Sequence, residues 1–217
     1  MPLILAFDAT GGRLAVGAFE GSISLAESVE MLDRGHAERL FPVIDEVLAE
    51  ARRNYRDIDI IAVCTGPGNF TGARVGVAAA RGLALSTGAI AVGVDRFEAL
   101  ALGHDGVVCV ALTARGGAVH LARLTDGKPS RDAATLLPAE GVEFARDAVV
   151  IGDGAAELIA ATGLGQLGAE AGDASLASLA FVAALRVATG SPARPAPRYL
   201  RPVNAALPRE AAPQIVR

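Results

Sequence analysis

The sequence predicts an α/β protein of two similar lobes, each a mixed sheet flanked by helices, with one lobe over residues 1–103 and the other over 104–217. Three observations predict it. Leu3–Phe7 is a short apolar run ending in Asp8, followed by a Gly11-Gly12 turn, a strand-like Arg13–Phe19, a turn at Gly21 and a third strand over Ser22–Val29. The period then changes: apolar residues fall at helical spacing over His36–Arg53, and strands alternate with helices after it. Finally, the second half opens as the first does, with a strand over Gly106–Thr113, a turn at Arg115-Gly116-Gly117 and a returning strand over Ala118–Thr125.

The remaining elements follow in order. Ala37, Leu40, Phe41, Ile44, Val47, Leu48 and Ala51 form the apolar face of the first helix, and Pro42 is tolerated there only in the first turn. Ile58–Thr65 reads as a buried strand, Gly66–Gly72 (GPGNFTG) as a loop and Ala73–Ser86 as a helix, with Thr71 as its candidate cap. A strand over Ala89–Val94 and a short helix over Arg96–Gly103 close the first half. In the second half, Asp126-Gly127-Lys128-Pro129 reads as a turn, Ala148–Gly152 as a strand, and Ala155–Thr162 and Leu176–Ala188 as helices. From Ser191 onward six prolines exclude regular helix and predict an extended strap.

Composition narrows the function. With 52% hydrophobic and 20% charged residues, the 217-residue chain has ample apolar content for a core, and its 4% aromatic share leaves Ala, Val, Leu and Gly to build it. A net charge of -4 argues against autonomous grip on nucleic acid, although Arg194, Arg198, Arg201 and Arg209 gather near the C-terminus. The single lysine, Lys128, reads as a solvated turn residue. Cys64 and Cys109 lack the spacing of a zinc or redox motif and read as buried free thiols. The N-terminus has no signal-peptide pattern, and no apolar stretch is long enough for a membrane helix, so a cytoplasmic protein is expected.

Two glycine-rich segments are candidate sites. Asp8, Thr10, Gly11 and Gly12 place a carboxylate, a hydroxyl and turn N–H groups at a strand end, the parts that hold a metal–phosphate group; the same residues also suit a plain hairpin. GPGNFTG joins a strand to a helix but matches neither common nucleotide loop. It has no Gly-Lys-Ser/Thr, and Gly66, Gly68 and Gly72 are spaced G-x-G-x-x-x-G. The helix after it carries Gly72, Gly76, Ala79, Ala80 and Gly82, which implies close approach of another backbone, either this chain's own or another subunit's. His36, His104 and His120 form no H-E-x-x-H motif.

Leu3–Thr10 (LILAFDAT), His36–Pro42 (HAERLFP), Gly66–Leu83 (GPGNFTGARVGVAAARGL) and Pro197–Arg201 (PRYLR), with Gly152-Asp153-Gly154 between the last two, resemble the TsaB family in this order. The resemblance implies an actin-like (ASKHA, ribonuclease H-like) fold and a non-catalytic scaffold role in tRNA N6-threonylcarbamoyladenosine synthesis. It implies a TsaD-like catalytic partner, a TsaE-like ATPase, a homodimer when alone, and contact with tRNA only through the complex. No cofactor is expected for this chain itself, and ATP with Mg belongs to the complex. The pairing surface implied is the two N-lobe helices, with Leu40, Ile44, Phe70, Thr71, Arg74, Val75, Gly76 and Ala79 as its residues. The chain departs from the family in having Asp8-Ala9-Thr10 and Thr113-Ala114-Arg115 where relatives often have Asp-Thr-Ser and Asp-Ala-Arg. The alternative reading is an ATP-dependent phosphotransferase of the actin-like clan.

Overall fold

A computed structural model describes residues 1–32, 34–169, 172–192 and 194–200. The N-terminal sheet contains β1 (Leu3–Asp8), β2 (Arg13–Glu20), β3 (Ile23–Met31), β4 (Ile60–Cys64) and β5 (Ile90–Val94) in the order β3-β2-β1-β4-β5. β1, β2 and β3 form the expected antiparallel meander, and β4 and β5 add in parallel to β1. The second sheet contains β6 (Val107–Ala114), β7 (Ala118–Thr125), β8 (Lys128–Leu136), β9 (Val149–Ile151) and β10 (Gln166–Leu167), in the order β10-β9-β6-β7-β8. Each strand of the first sheet has its counterpart in the second, with the same sense of pairing. The duplication is therefore one of topology.

Parallel neighbours require crossovers, and helices supply them. α1 (His36–Glu50) joins β3 to β4, and α2 (Phe70–Thr87) joins β4 to β5. Both pack on one face of the first sheet, where Leu40, Val43, Ile44 and Val47 meet Val77, Ala80 and Leu83 over Leu5, Phe7 and Val63. In the second lobe the four-residue α4 (Val142–Ala145) and α5 (Ala155–Thr162) cover the corresponding face.

The last helix of each half crosses over to the other sheet. α3 (Arg96–Ala101) lies in the first half by sequence, yet Phe97 and Ala101 pack with Val108, Val110, Leu112 and Ile151 of the second sheet. α6 (Leu176–Ala188) lies in the second half, yet Leu176, Leu179, Ala180 and Ala183 pack with Ile4, Ala6, Ala62 and Val92 of the first. Sequence order separates the halves, whereas the apolar face of each terminal helix is complementary to the other sheet.

Smaller differences have local causes. Pro42 sits in the second turn of α1, not the first, on its exposed side. The Asp126-Gly127 pair makes the β7–β8 turn alone, with φ of 50° and 73°, so Lys128 and Pro129 begin a strand. β8, α4 and β10 carry no strong periodic signal. Along the strap, Arg194 to Leu200 forms neither helix nor strand; Arg201, Pro202, Pro208, Arg209 and Pro213 lie outside the described residues. Among the described residues no helix is long and apolar enough to cross a membrane.

Candidate functional site

The two glycine-rich motifs form one structure. Gly72 brings its α-carbon so close to β1 that a Cβ there would lie 1.8 Å from the Ala9 carbonyl oxygen, and one on Gly68 would lie 2.2 Å from that of Thr10. The Asn69 N–H donates to the Thr10 carbonyl at 2.6 Å. The loop therefore closes over the end of β1, and only glycine permits backbones this near. The glycines of GPGNFTG serve that approach.

The helix begins earlier than its sequence suggests, and Asn69, not Thr71, caps it. The Asn69 side-chain oxygen accepts from the N–H groups of Thr71 and Gly72, at 3.0 and 3.2 Å. Those are the donors an anion at a helix N-terminus would use.

Asp8 and Thr10 are each 1% exposed. One Asp8 oxygen, Oδ1, accepts from the Thr10 N–H at 2.7 Å and from its hydroxyl at 2.6 Å, while Oδ2 is buried with no partner among the described residues. The Thr10 hydroxyl also meets the Cys64 thiol at 3.4 Å. Burial, then the negative charge of Asp8, pushes the Cys64 thiol well above its ordinary range, and burial pushes Cys109 up to about 12. Both cysteines are therefore neutral thiols at physiological pH.

Gly11 and Gly12 complete the turn, but its approach is occupied. Asp173 reaches over Gly11, its Oδ1 2.9 Å from where a Cβ would stand. Two arginines hold it there: Arg13 Nε at 3.1 Å and Arg96 Nη2 at 2.9 Å. Arg96 is 8% exposed and also donates to the carbonyls of Gly172, at 2.7 Å, and Pro67, at 3.3 Å. One guanidinium thus ties the GPGNFTG loop to the segment entering α6. In the second lobe, Asp153 accepts from the N–H and hydroxyl of Thr113, at 2.9 and 2.8 Å, so Thr113 is bonded to the Gly152-Asp153-Gly154 turn. Among the described residues no group of three or more His, Cys, Asp and Glu side chains is placed to hold a metal ion.

The expected pairing residues divide sharply. Leu40 and Ile44 are 0% exposed, Ala79 is buried, and Gly76 packs against Val63 and Phe7. These four belong to the chain's own core and offer no surface, because Gly76 and Ala79 pack toward its own sheet, whereas Gly82 is exposed. Phe70, Thr71 and Arg74 are exposed, and Val75 is half-buried. They are joined by Tyr199 from the strap, whose ring centroid lies 4.9 Å from that of Phe70. The Arg74 guanidinium stacks 3.8 Å above the Phe70 ring and donates to the Tyr199 hydroxyl at 2.8 Å. The strap is anchored beside this cluster by the Arg198 N–H to the Thr65 carbonyl at 2.9 Å and by an Arg198–Asp95 ion pair. Burial there holds the Arg198 pKa below the usual arginine value. Sequence reasoning missed Asn69, Arg96, Asp173 and Tyr199 as site residues; only Asn69, an N-cap type before a helix, carried a local signal.

Two mixed sheets of order 3-2-1-4-5, with helices exchanged between them, define an actin-like protein of duplicated ribonuclease H-like lobes. The family described as TsaD, tRNA N6-adenosine threonylcarbamoyltransferase, matches residues 29–187, and this chain belongs to it. TsaB of Escherichia coli, named a tRNA threonylcarbamoyladenosine biosynthesis protein, is 32% identical over 55% of this chain and 53% of its own length. The tRNA N6-adenosine threonylcarbamoyltransferase of Solidesulfovibrio magneticus is 37% identical over 44% of this chain and 27% of its own. These matches thus span about half or less of the relatives' lengths. YeaZ from Pseudomonas aeruginosa superposes with a TM-score of 0.76 at 24% identity, covering 92% of this chain and 100% of YeaZ, and so shares its fold.

Proposed function

We propose that this chain is a non-catalytic scaffold subunit in tRNA threonylcarbamoyladenosine synthesis, which binds and activates a TsaD-like catalytic subunit. One observation carries the reading: the turn that would receive a nucleotide's phosphates is filled by the chain itself. Asp173 places a carboxylate on Gly11, and Asn69 takes the N–H groups at the start of α2. A phosphate there would meet the Asp173 carboxylate and find the Thr71 and Gly72 N–H groups already taken. The names carried by the E. coli and S. magneticus relatives supply the process and the partner. ATP and Mg act at the level of the complex, with a TsaE-like ATPase, and the free chain pairs with itself. Its place of action is the cytoplasm.

The docking surface is the Phe70–Arg74–Tyr199 cluster with Thr71 and Val75 beside it. Aromatic and arginine side chains that are already ordered lose little entropy on binding, which is why they dominate interface energetics. Capture of a purified TsaD-like protein tests this. Arg74→Glu, which removes the stacked cation and introduces the opposite charge, is expected to weaken capture by about thirtyfold or more, roughly 2 kcal/mol, with unchanged circular dichroism. Capture as tight as that of the unmodified chain would remove the cluster from the interface.

A further inference from the structure

The chain has 24 acidic residues, yet none occurs between Asp59 and Asp95 or between Asp173 and Glu210. The fold brings these two carboxylate-free segments together: α2 and β5 come from the first, α6 and the strap from the second. Gly93 of β5 meets Pro195, and Arg81 of α2 donates to the Pro195 carbonyl. Between them lies a groove of about 310 Å³ lined by Arg81, Leu85, Ile90, Pro192 and Arg194, with Ala84 and Ala91. Among the described residues, none that lines it is acidic. Leu85 is 90% and Ile90 42% exposed.

The arginines of this face divide by their partners. Arg186 pairs with Glu98 and Arg198 with Asp95. Arg81 and Arg194, at the groove, pair with no carboxylate among the described residues. Four exposed acids of the same lobe, Glu38, Asp45, Glu46 and Glu50, lie instead on the neighbouring helix α1. An overall charge of -4 thus conceals a local positive face beside an acidic one.

We infer that this groove is an RNA contact, taking a single-stranded stretch of the tRNA substrate; in naming tRNA, the inference rests on the function proposed above. The chemistry fits nucleotides: guanidinium groups at Arg81 and Arg194 meet phosphates or stack on bases, and the aliphatic and proline floor takes a base face. Arg201 and Arg209, outside the described residues, continue the positive run in the sequence. The groove lies toward the C-terminal end of α2, whereas the Phe70–Arg74 docking cluster lies at its N-terminal end, so one subunit can hold partner and RNA together.

The test is fluorescence anisotropy of the full-length chain with a labelled, unmodified tRNA transcript over a series of salt concentrations, with capture of the TsaD-like protein measured in parallel. Arg194→Glu and Leu85→Glu are the variants, since both side chains are exposed. The unmodified chain is expected to bind saturably, with log affinity falling by about 0.7 per logarithmic unit of salt for each arginine engaged. Each variant is expected to weaken tRNA binding about tenfold or more, Arg194→Glu with a shallower salt slope, and to leave partner capture intact. Absence of saturable tRNA binding, or variants that bind tRNA as the unmodified chain does, would overturn the inference. Variants that lose partner capture and keep tRNA would assign the groove to an acidic protein surface. A chain that binds tRNA but captures no partner would sink the scaffold reading and leave the RNA contact standing.

Discussion

Replacing Gly72 with alanine is expected to cost about 4 kcal/mol, and so to lower the melting temperature by roughly 8–16 °C. The added methyl would stand 1.8 Å from the Ala9 carbonyl oxygen and 2.9 Å from its carbon, both backbone atoms of the residue that directly follows the central strand β1. Neither can rotate away, so α2 must shift by more than an ångström against β1. That movement strains the Asn69–Thr10 hydrogen bond and the packing of Val77 and Ala80 on the sheet. Gly82→Ala on the same helix is the control, because a methyl there meets nothing within 4 Å. It is expected to stabilise by up to about 1 kcal/mol through helix propensity alone. Thermal melts of the two variants give the answer, and equal behaviour would contradict the backbone contact.

Arg96→Ala is expected to destabilise by about 2–3 kcal/mol, or roughly 4–12 °C. The guanidinium donates to the Gly172 and Pro67 carbonyls and pairs with Asp173, from a position 8% exposed. Its removal leaves the Pro67 and Gly172 carbonyls short of a donor. The loss through Asp173 is discounted, because that side chain is 39% exposed and keeps Arg13. Lysine should rescue poorly, since an ammonium cannot span three acceptors arranged for a planar fork. A melting temperature within 1 °C of the unmodified chain would show that the loop and the entry to α6 are held by other contacts.

The two kinds of pattern in the sequence were legible to different depths. The meander, the alternation of strands and helices and the repeat of the opening hairpin follow from periodicity and turn residues, and all are present. The exchange of α3 and α6 between sheets was not legible, because an apolar helix face does not state which sheet it will cover. Of the small residues of α2, Gly72 makes the close backbone approach, whereas Gly76 meets only side chains and Gly82 meets nothing within 4 Å. The helix approaches its own β1 and β4, so Gly76 and Ala79 are core residues and the exposed cluster is Phe70, Arg74 and Tyr199. Tyr199 is 125 residues from its partner Arg74, a separation that no local pattern bridges. Asp173 on Gly11 is likewise a contact of tertiary structure, and it decides how the Asp8–Gly12 turn is read.

That turn gives the most direct test of the scaffold account. The Oδ2 oxygen of Asp8, buried with no partner among the described residues, is a feature that favours a phosphotransferase. Threonylcarbamoyladenosine formation on unmodified tRNA is to be measured with TsaD- and TsaE-like proteins, with no added chain, with the chain, and with its Asp8→Asn variant. The account predicts formation that depends on the chain and is retained, within about twofold, by Asp8→Asn once the variant is folded and captured by its partner. Formation lost in a folded, partner-bound Asp8→Asn variant, or formation that proceeds equally well without the chain, would contradict it.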